Sequence, residues 1–169
     1  MKPRTPKPSK EVALLLAIVD EAYDRSAWHG PNLKGSLRRL TQEQAAWRPS
    51  AGRHSSWELA VHAAYWKYAV RRRLTGAKRG SFPLAGSNWF GRPDAGRSWR
   101  DDLLLLDEEH RRLRETIAAL PASRLSRISP GTRHTGARLV YGIAAHDTYH
   151  AGQIRMLQTL RGGGEADEG

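Results

Sequence analysis

The stretch GIAAHDTYHAGQIRMLQTL, residues 142–160, is the most informative part of the chain, because it combines the apolar period of a helix with two histidines. At about 100° per residue, His146 and His150 stand one above the other on the same side of that helix. Measured from Leu139, His146 lies at about −20° and His150 at about 20°, in the middle of the apolar stripe. The pattern predicts a long amphipathic helix with two histidines facing the core.

Two interpretations of this pair stay open on the stretch alone. Neighbouring buried imidazoles must be neutral, and their ring nitrogens need partners. Ordinary hydrogen bonds in the core would provide them, and so would a divalent metal ion. The HExxH pattern of zinc peptidases is absent, because Asp147 follows His146. A third ligand elsewhere in the chain would decide between the two.

Outside this stretch, serines that can cap helices divide the chain into further helices. Ser55 with Glu58, and Ser98 with Asp101, have the spacing of a capping box or a related N-terminal cap. Short helical pieces are expected at 33–40 and from Thr41. The long helices are predicted from Ser9 to Ser26, from Ser55 to Gly76, from Ser98 to Leu120, and from Thr135 to Gly162.

Four long amphipathic helices without a credible strand predict an all-α four-helix bundle. Residues 77–97 are rich in glycine, proline and serine, and form a loop far longer than a hairpin requires. Such a loop can run the length of a helix, which favours an up-down-down-up order. We expect one domain at 9–161, a disordered basic arm at 1–8 and a flexible acidic tail at 162–169.

Composition restricts the function classes. A chain of 169 residues can bury a substantial core without disulfides, and it has no cysteine for a disulfide, a thiolate ligand or a nucleophile. No apolar run approaches the roughly 18 residues of a membrane span. We therefore expect no membrane association and a cytoplasmic protein.

The net charge of +11 raises the question of nucleic-acid binding. The arginines are scattered over every segment, and the densest run, residues 71–73, ends a helix, where cations favour the helix dipole. No helix-turn-helix, zinc-finger or RNA-binding motif is visible. We expect no specific nucleic-acid partner.

A third histidine lies on the second long helix. His62 shares an apolar strip with Leu59 and Trp66. If this helix is the antiparallel neighbour of the last one, then His62, His146 and His150 reach similar heights. Three histidines that converge in a bundle core form an open site, in which zinc keeps a fourth position for water or substrate.

These features resemble the DinB superfamily of DinB/YfiT-like metalloenzymes. The resemblance covers WHGPNL at 28–33, GRHSSWELAVHAAYWKYAVRRRLTG at 52–76 and HDTYHAGQI at 146–154. The family pattern has one histidine on the second helix and an HxxxH pair on the fourth, in an up-down-down-up bundle. The resemblance thus implies that His62, His146 and His150 bind a divalent metal ion, with zinc or nickel the first candidates.

The resemblance is less specific for function. Relatives include S-transferases and isomerases that use a low-molecular-weight thiol, so it implies a metal-dependent enzyme with an external thiol and a small-molecule substrate. A metal-dependent hydrolase, a non-catalytic metal-binding stress-response protein and a structural bundle with relic histidines are the alternatives. Intact ligands on buried faces argue against the last.

Further candidate residues surround the expected site. Asp147, at the edge of the apolar stripe, can orient a metal-bound water or a histidine N–H, or form an ion pair with an arginine. Trp89 and Phe90 lie in the glycine-rich loop, which can cover the site. Arg73, with its neighbours, is a candidate for binding carboxylates of the thiol. His29 and His54 lie in turns, where surface or capping roles are the default.

We also expect a homodimer. Tyr65, Trp66 and Tyr68 spread over more than half of the second long helix, beyond the stripe that one bundle buries. Exposed aromatic patches mark interfaces, and dimers are common in the family that the chain resembles. The alternative is that the segment between Trp28 and Pro49 folds over these rings in a monomer.

Overall fold

Regular secondary structure is entirely helical in the part of the chain that the structure, a computed structural model, describes, namely residues 8–164. The expected arm at 1–8 and tail at 162–169 fall largely outside that range, and the last helix continues to Gly164. A 3₁₀ helix lies at Ala122–Arg124. The α-helices are α1 (Lys10–Tyr23), α2 (Leu33–Leu37), α3 (Gln42–Ala46), α4 (Ser56–Thr75), α5 (Trp99–Ala118) and α6 (Gly136–Gly164).

Local chemistry explains where the long helices begin. Ser9, Ser55 and Ser98 are the N-caps of α1, α4 and α5, and each side chain accepts a backbone N–H of the first turn. The boxes with Glu58 and Asp101 are both closed. α1 ends at Tyr23, three residues before the predicted end, because the Asp24 and Arg25 amides both close back on the carbonyl of residue 20.

Each long helix packs mainly against two other long helices, in the pairs α1–α5, α5–α4, α4–α6 and α6–α1. Polar contacts show the alignment of α4 with α5. Near the start of both, the Trp57 indole N–H donates to Asp102 at 2.8 Å. Further along both, the Arg71 guanidinium donates to Glu109 at 3.3 Å. All four side chains lie on the packed faces of these two helices.

Two clusters of buried apolar side chains form the core. One lies at the α2 end of the bundle and includes Trp57, Leu59, Leu106 and Ile154. The other lies toward the start of α6. Trp66 packs against both clusters, so the part of α4 that carries His62 and Trp66 lies where they meet.

The loop at 77–97 covers the aromatic face of α4. Phe82 packs against Tyr65 and Tyr68 with ring centroids 5.4 and 5.3 Å apart, and Phe90 lies 5.6 Å from Tyr65. Tyr65 and Tyr68 are consequently buried. The expectation that these two rings form an exposed patch is wrong, and they are covered by this loop rather than by a partner chain or by the segment between Trp28 and Pro49.

Across residues 8–164, we find no helix whose length and apolar character would suit it to span a bilayer.

Candidate metal centre

The helices bring the three predicted histidines together. His62 comes from the middle of α4, and His146 and His150 come from successive turns of α6, with His62 and His146 separated by 84 residues of chain. The Nε2 atom of His146 lies 3.1 Å from Nε2 of His62 and 3.1 Å from Nε2 of His150. One ligand atom from each of the three lies within 4.8 Å of the others.

Hydrogen bonds at the far side of two rings set their tautomers. His62 donates Nδ1–H to the carbonyl oxygen of Asn88 at 2.8 Å, and His150 donates Nδ1–H to Oε1 of Gln153 at 2.6 Å. Because a carbonyl oxygen only accepts, the hydrogen of each neutral ring resides on Nδ1. Both Nε2 atoms therefore present a lone pair toward His146.

The donor set fits a cation better than it fits hydrogen bonds among the rings. His146 can give an Nε2–H to one of the two lone pairs but not to both. Its Nδ1 is buried and has no hydrogen-bond partner in the described chain. Four-coordinate zinc with nitrogen ligands requires N–N separations of about 3.3 Å, close to the two distances of 3.1 Å. A divalent ion would use all three Nε2 lone pairs.

Burial keeps the three rings neutral, which is the form that binds a metal ion. It lowers the pKa of His62 to about 4 and of His146 to about 3, and it also lowers the pKa of His150. Repulsion between the rings, were they protonated, adds to the effect on His62 and His146. At neutral pH no ring has to lose a positive charge before an ion can bind.

A cavity of about 850 Å³ adjoins the centre. His150 lines it directly, and Trp89 forms another part of the wall. The Trp89 indole stacks on the His62 ring at 3.9 Å and on the His54 ring at 3.5 Å, so it lies between two imidazoles. The cavity is also lined by Pro49, Ser50, Gly52, Arg53, Leu59, Tyr149, Gly152, Gln153, Met156 and Leu157.

The two loop aromatics have different positions. Trp89 is part of the cavity wall, whereas Phe90 is buried against Tyr65 and Phe82 and anchors the loop. Arg73 lies above the Trp66 ring, with 5.5 Å from its guanidinium carbon to the ring centroid, and is not among the residues that line the cavity.

Asp147 contacts a lysine rather than the three histidine rings. Its carboxylate forms an ion pair with Lys67 of α4, and both side chains are almost fully buried. The cation is a lysine rather than the arginine that the sequence favoured. The second carboxylate oxygen, Oδ1, is buried without a hydrogen-bond partner among residues 8–164.

Four residues near the site were not predicted from the sequence to belong to it. Gln153 lies one turn beyond His150, a spacing that could have identified it. His54 precedes Glu58 by four residues, which also places the two side chains within reach. Asn88 and Arg53 lie in irregular segments, whose position no periodicity indicates.

Comparison with known proteins agrees with this geometry. A search of curated proteins gave no match. The family model of the DinB superfamily matches residues 27–154, about three quarters of the chain, and this span contains all three histidines. The chain belongs to the DinB superfamily.

Proposed function

We propose that the protein binds one divalent metal ion through His62, His146 and His150, and that it is a metal-dependent enzyme for a small substrate. The observation that carries the proposal is the convergence of three Nε2 atoms from buried and half-buried histidines, two of which have their lone pairs oriented by hydrogen bonds to Asn88 and Gln153. Zinc and nickel are the first candidates, because imidazole suits both ions.

The ion, the residues that orient its ligands and the adjoining cavity have different roles in this proposal. When bound, the ion supplies Lewis-acid chemistry that makes water or a thiol nucleophilic near neutral pH. Asn88 and Gln153 hold two ligand rings in the metal-binding tautomer. The adjoining cavity is mostly apolar, and leaves room for a small organic molecule beside His150.

A thiol is our first choice of nucleophile, which makes the reaction an S-transfer or a thiol-dependent isomerisation. The chain has no cysteine, so a low-molecular-weight thiol would have to come from outside. Water in the same place would make the protein a hydrolase. Metal occupancy without turnover of either kind would favour a metal-binding protein without catalysis.

We infer an up-down-down-up bundle as the frame of this site. The early residues of α4 contact the early residues of α5, and later residues contact later ones, as in parallel helices. Between α1 and α5, the Arg114 guanidinium donates to Asp20 at 2.7 Å and Tyr23 donates to Asp107, so later residues of α1 meet earlier ones of α5. Between α4 and α6, Leu59 lies in the same cluster as Ile154, whereas Val70, later on α4, lies in the cluster of Ile143, earlier on α6. These contacts support parallel α4 and α5 between antiparallel partners.

The homodimer stays a prediction, but the aromatic surface of α4 that suggested it is largely buried within the chain. Burial of Tyr65 and Tyr68 by the loop removes much of the aromatic patch that suggested it. Sedimentation at micromolar concentration, with and without a chelator, gives the mass that tests it.

The metal proposal predicts about one ion per chain in purified protein, and loss of that ion in His146→Ala. The reason is that His146 is the ring that lies between the other two. Elemental analysis measures the content, and His134→Ala, outside the trio, serves as the matched control. Equal metal content in His146→Ala and wild type would contradict a metal site formed by His62, His146 and His150.

Activity is tested with two probe reactions. One couples 2-mercaptoethanol to 1-chloro-2,4-dinitrobenzene, and the other hydrolyses 4-nitrophenyl acetate. We expect a rate that requires metal and is lost in His150→Ala. Full metal occupancy without turnover in either reaction would contradict an enzyme of these classes.

A further inference from the structure

His54 lies at the cavity and does not belong to the metal centre. It precedes Ser55, the N-cap of α4, and its side chain lines the same cavity as His150. The side chain is 43% exposed, so a molecule in the cavity can reach it. Trp89 separates its ring from that of His62.

Two contacts fix the orientation of the His54 ring. Its Nδ1 lies 3.2 Å from Oε2 of Glu58, and its face stacks on Trp89 with an angle of 4° between the planes. Glu58 is itself held by two hydrogen bonds of 2.6 Å from Arg48 and by the Ser55 amide. The carboxylate therefore cannot turn away from the imidazole.

The Glu58 contact also determines which nitrogen is free. A carboxylate only accepts, so Nδ1 of His54 carries the hydrogen and Nε2 carries the lone pair. Within the described chain, Nε2 has no hydrogen-bond partner. A fixed imidazole with a carboxylate behind it and a free Nε2 beside a cavity is the arrangement of a general base.

We propose that His54 is the acid–base residue of the reaction in this cavity, a role that rests on the proposed function. Nε2 takes the proton of the nucleophile, a thiol or water, while Glu58 stabilises the resulting imidazolium. The nucleophile forms its bond to an electrophilic carbon and the bond to the leaving group breaks. The leaving group then takes the proton from Nε2, so that thiol plus R–L becomes thioether plus H–L and His54 is restored.

The cavity wall narrows the class of electrophile. Leu59, Met156 and Leu157 give it an apolar surface. Arg53 also lines it, and within residues 8–164 the Arg53 guanidinium forms no ion pair or hydrogen bond. This chemistry suits a small apolar electrophile, with or without one anionic group that Arg53 can bind.

The first test needs no activity. Long-range ¹H–¹⁵N spectra of the imidazoles, assigned with His54→Gly, identify the tautomer of the neutral ring. We expect hydrogen on Nδ1 and a free Nε2. Hydrogen on Nε2 would overturn the proposal, because that nitrogen could not accept a proton.

The second test uses the two probe reactions on metal-loaded protein. We expect His54→Gly to keep its full metal content and to lose about 10²-fold or more in kcat/KM. Added imidazole should restore part of the rate, which a merely structural role would not allow. His134→Gly, a histidine outside the cavity, is the control for the loss of an imidazole.

The outcomes separate the two proposals. An unchanged rate in His54→Gly, or a loss that imidazole does not restore, overturns the role of His54 and leaves the metal-dependent activity standing. A wild-type chain that holds metal and turns over neither probe overturns the proposed enzyme and the role of His54 with it.

Discussion

At the scale of single residues, Asn88 shows how a loop residue can orient a ligand ring. Its φ of 68° lies in the left-handed region, which asparagine tolerates better than most residues. In this conformation the backbone carbonyl accepts Nδ1–H of His62, and the side-chain oxygen accepts the Trp66 indole N–H at 2.9 Å. One residue therefore ties α4 to the loop at the point where the ion would bind.

Asn88→Val should weaken metal binding about 10- to 100-fold, because a β-branched residue disfavours this φ and withdraws the carbonyl from His62. Asn88→Gly is the matched variant, since glycine keeps both the conformation and the carbonyl. We expect it to bind within a few fold of wild type in a competitive chelator titration. Equal affinities in the valine variant and wild type would contradict the role of the backbone.

His110 is a buried histidine outside the metal centre, and it predicts a pH dependence of stability. It stacks on Tyr23 at 3.7 Å, and burial, followed by the charges of Lys67, Arg114 and Lys34, lowers its pKa to about 2. Between that value and the usual 6.5, the unfolded chain binds a proton that the folded chain does not. Stability from this residue is therefore present above pH 6.5 and decreases as the pH falls.

His110→Phe should make unfolding less sensitive to acid. Between about pH 7 and about pH 4.5, we expect wild type to lose about 2 kcal/mol more free energy of unfolding than the variant. Urea denaturation of metal-free protein measures this difference, and His62, His146 and His150 contribute equally in both chains. The same pH dependence in both would show that His110 does not titrate in this way.

At the scale of helices, the interface of α4 with α6 contains one buried ion pair, Lys67 with Asp147. Such a pair adds little net stability, but each charge depends on the other for compensation. On α6 the pair lies one residue beyond His146, and so helps to align the helices that carry His62 and His146.

Lys67→Met should destabilise the protein by about 3–5 kcal/mol, because Asp147 then stays buried without a cation. The double variant Lys67→Met/Asp147→Leu should regain most of that loss. Arg111→Met, which removes exposed pairs with Glu108 and Glu115, is the control and should change little. Denaturant unfolding measures all three. A double variant as unstable as the single one would contradict this explanation.

Helix positions were largely predictable because their determinants are local. Ser55 and Ser98 cap α4 and α5 through groups three residues away. The three histidines could be predicted as site residues because they lie on the apolar faces of their helices. The sequence predicted a loop at 77–97 that can cover the site, but not its path, because contacts with the distant rings of Tyr65 and Tyr68 determine that path. Asn88, Trp89 and His54 acquire their roles through that path or through side-chain contacts that periodicity does not encode.

At the scale of the whole molecule, the loop at 77–97 belongs to the core and to the site together. Phe90 is packed into the core, and the two residues before it contact His62. Packing of the loop and geometry of the centre should therefore vary together.

Phe90→Ala should cost about 3–5 kcal/mol of stability and also weaken metal binding. The affinity falls because a loosened loop no longer holds Asn88 and Trp89 against His62. Leu104→Ala, at an exposed position of α5, is the control for loss of an apolar side chain. Thermal unfolding and chelator titration give the two values. A destabilised Phe90→Ala chain with unchanged metal affinity would show that the loop and the centre are independent.

The separation of His62 and His146 by 84 residues has a kinetic consequence. An ion held by both closes a loop of that length, in a chain that has no cysteine to form a covalent cross-link. Separation of α4 from α6 during unfolding would then require the coordination bonds to break first. The lifetime of the folded chain would therefore lengthen with the concentration of free ion. Metal supply would thereby govern how long each molecule survives proteolysis, whether or not the centre is catalytic.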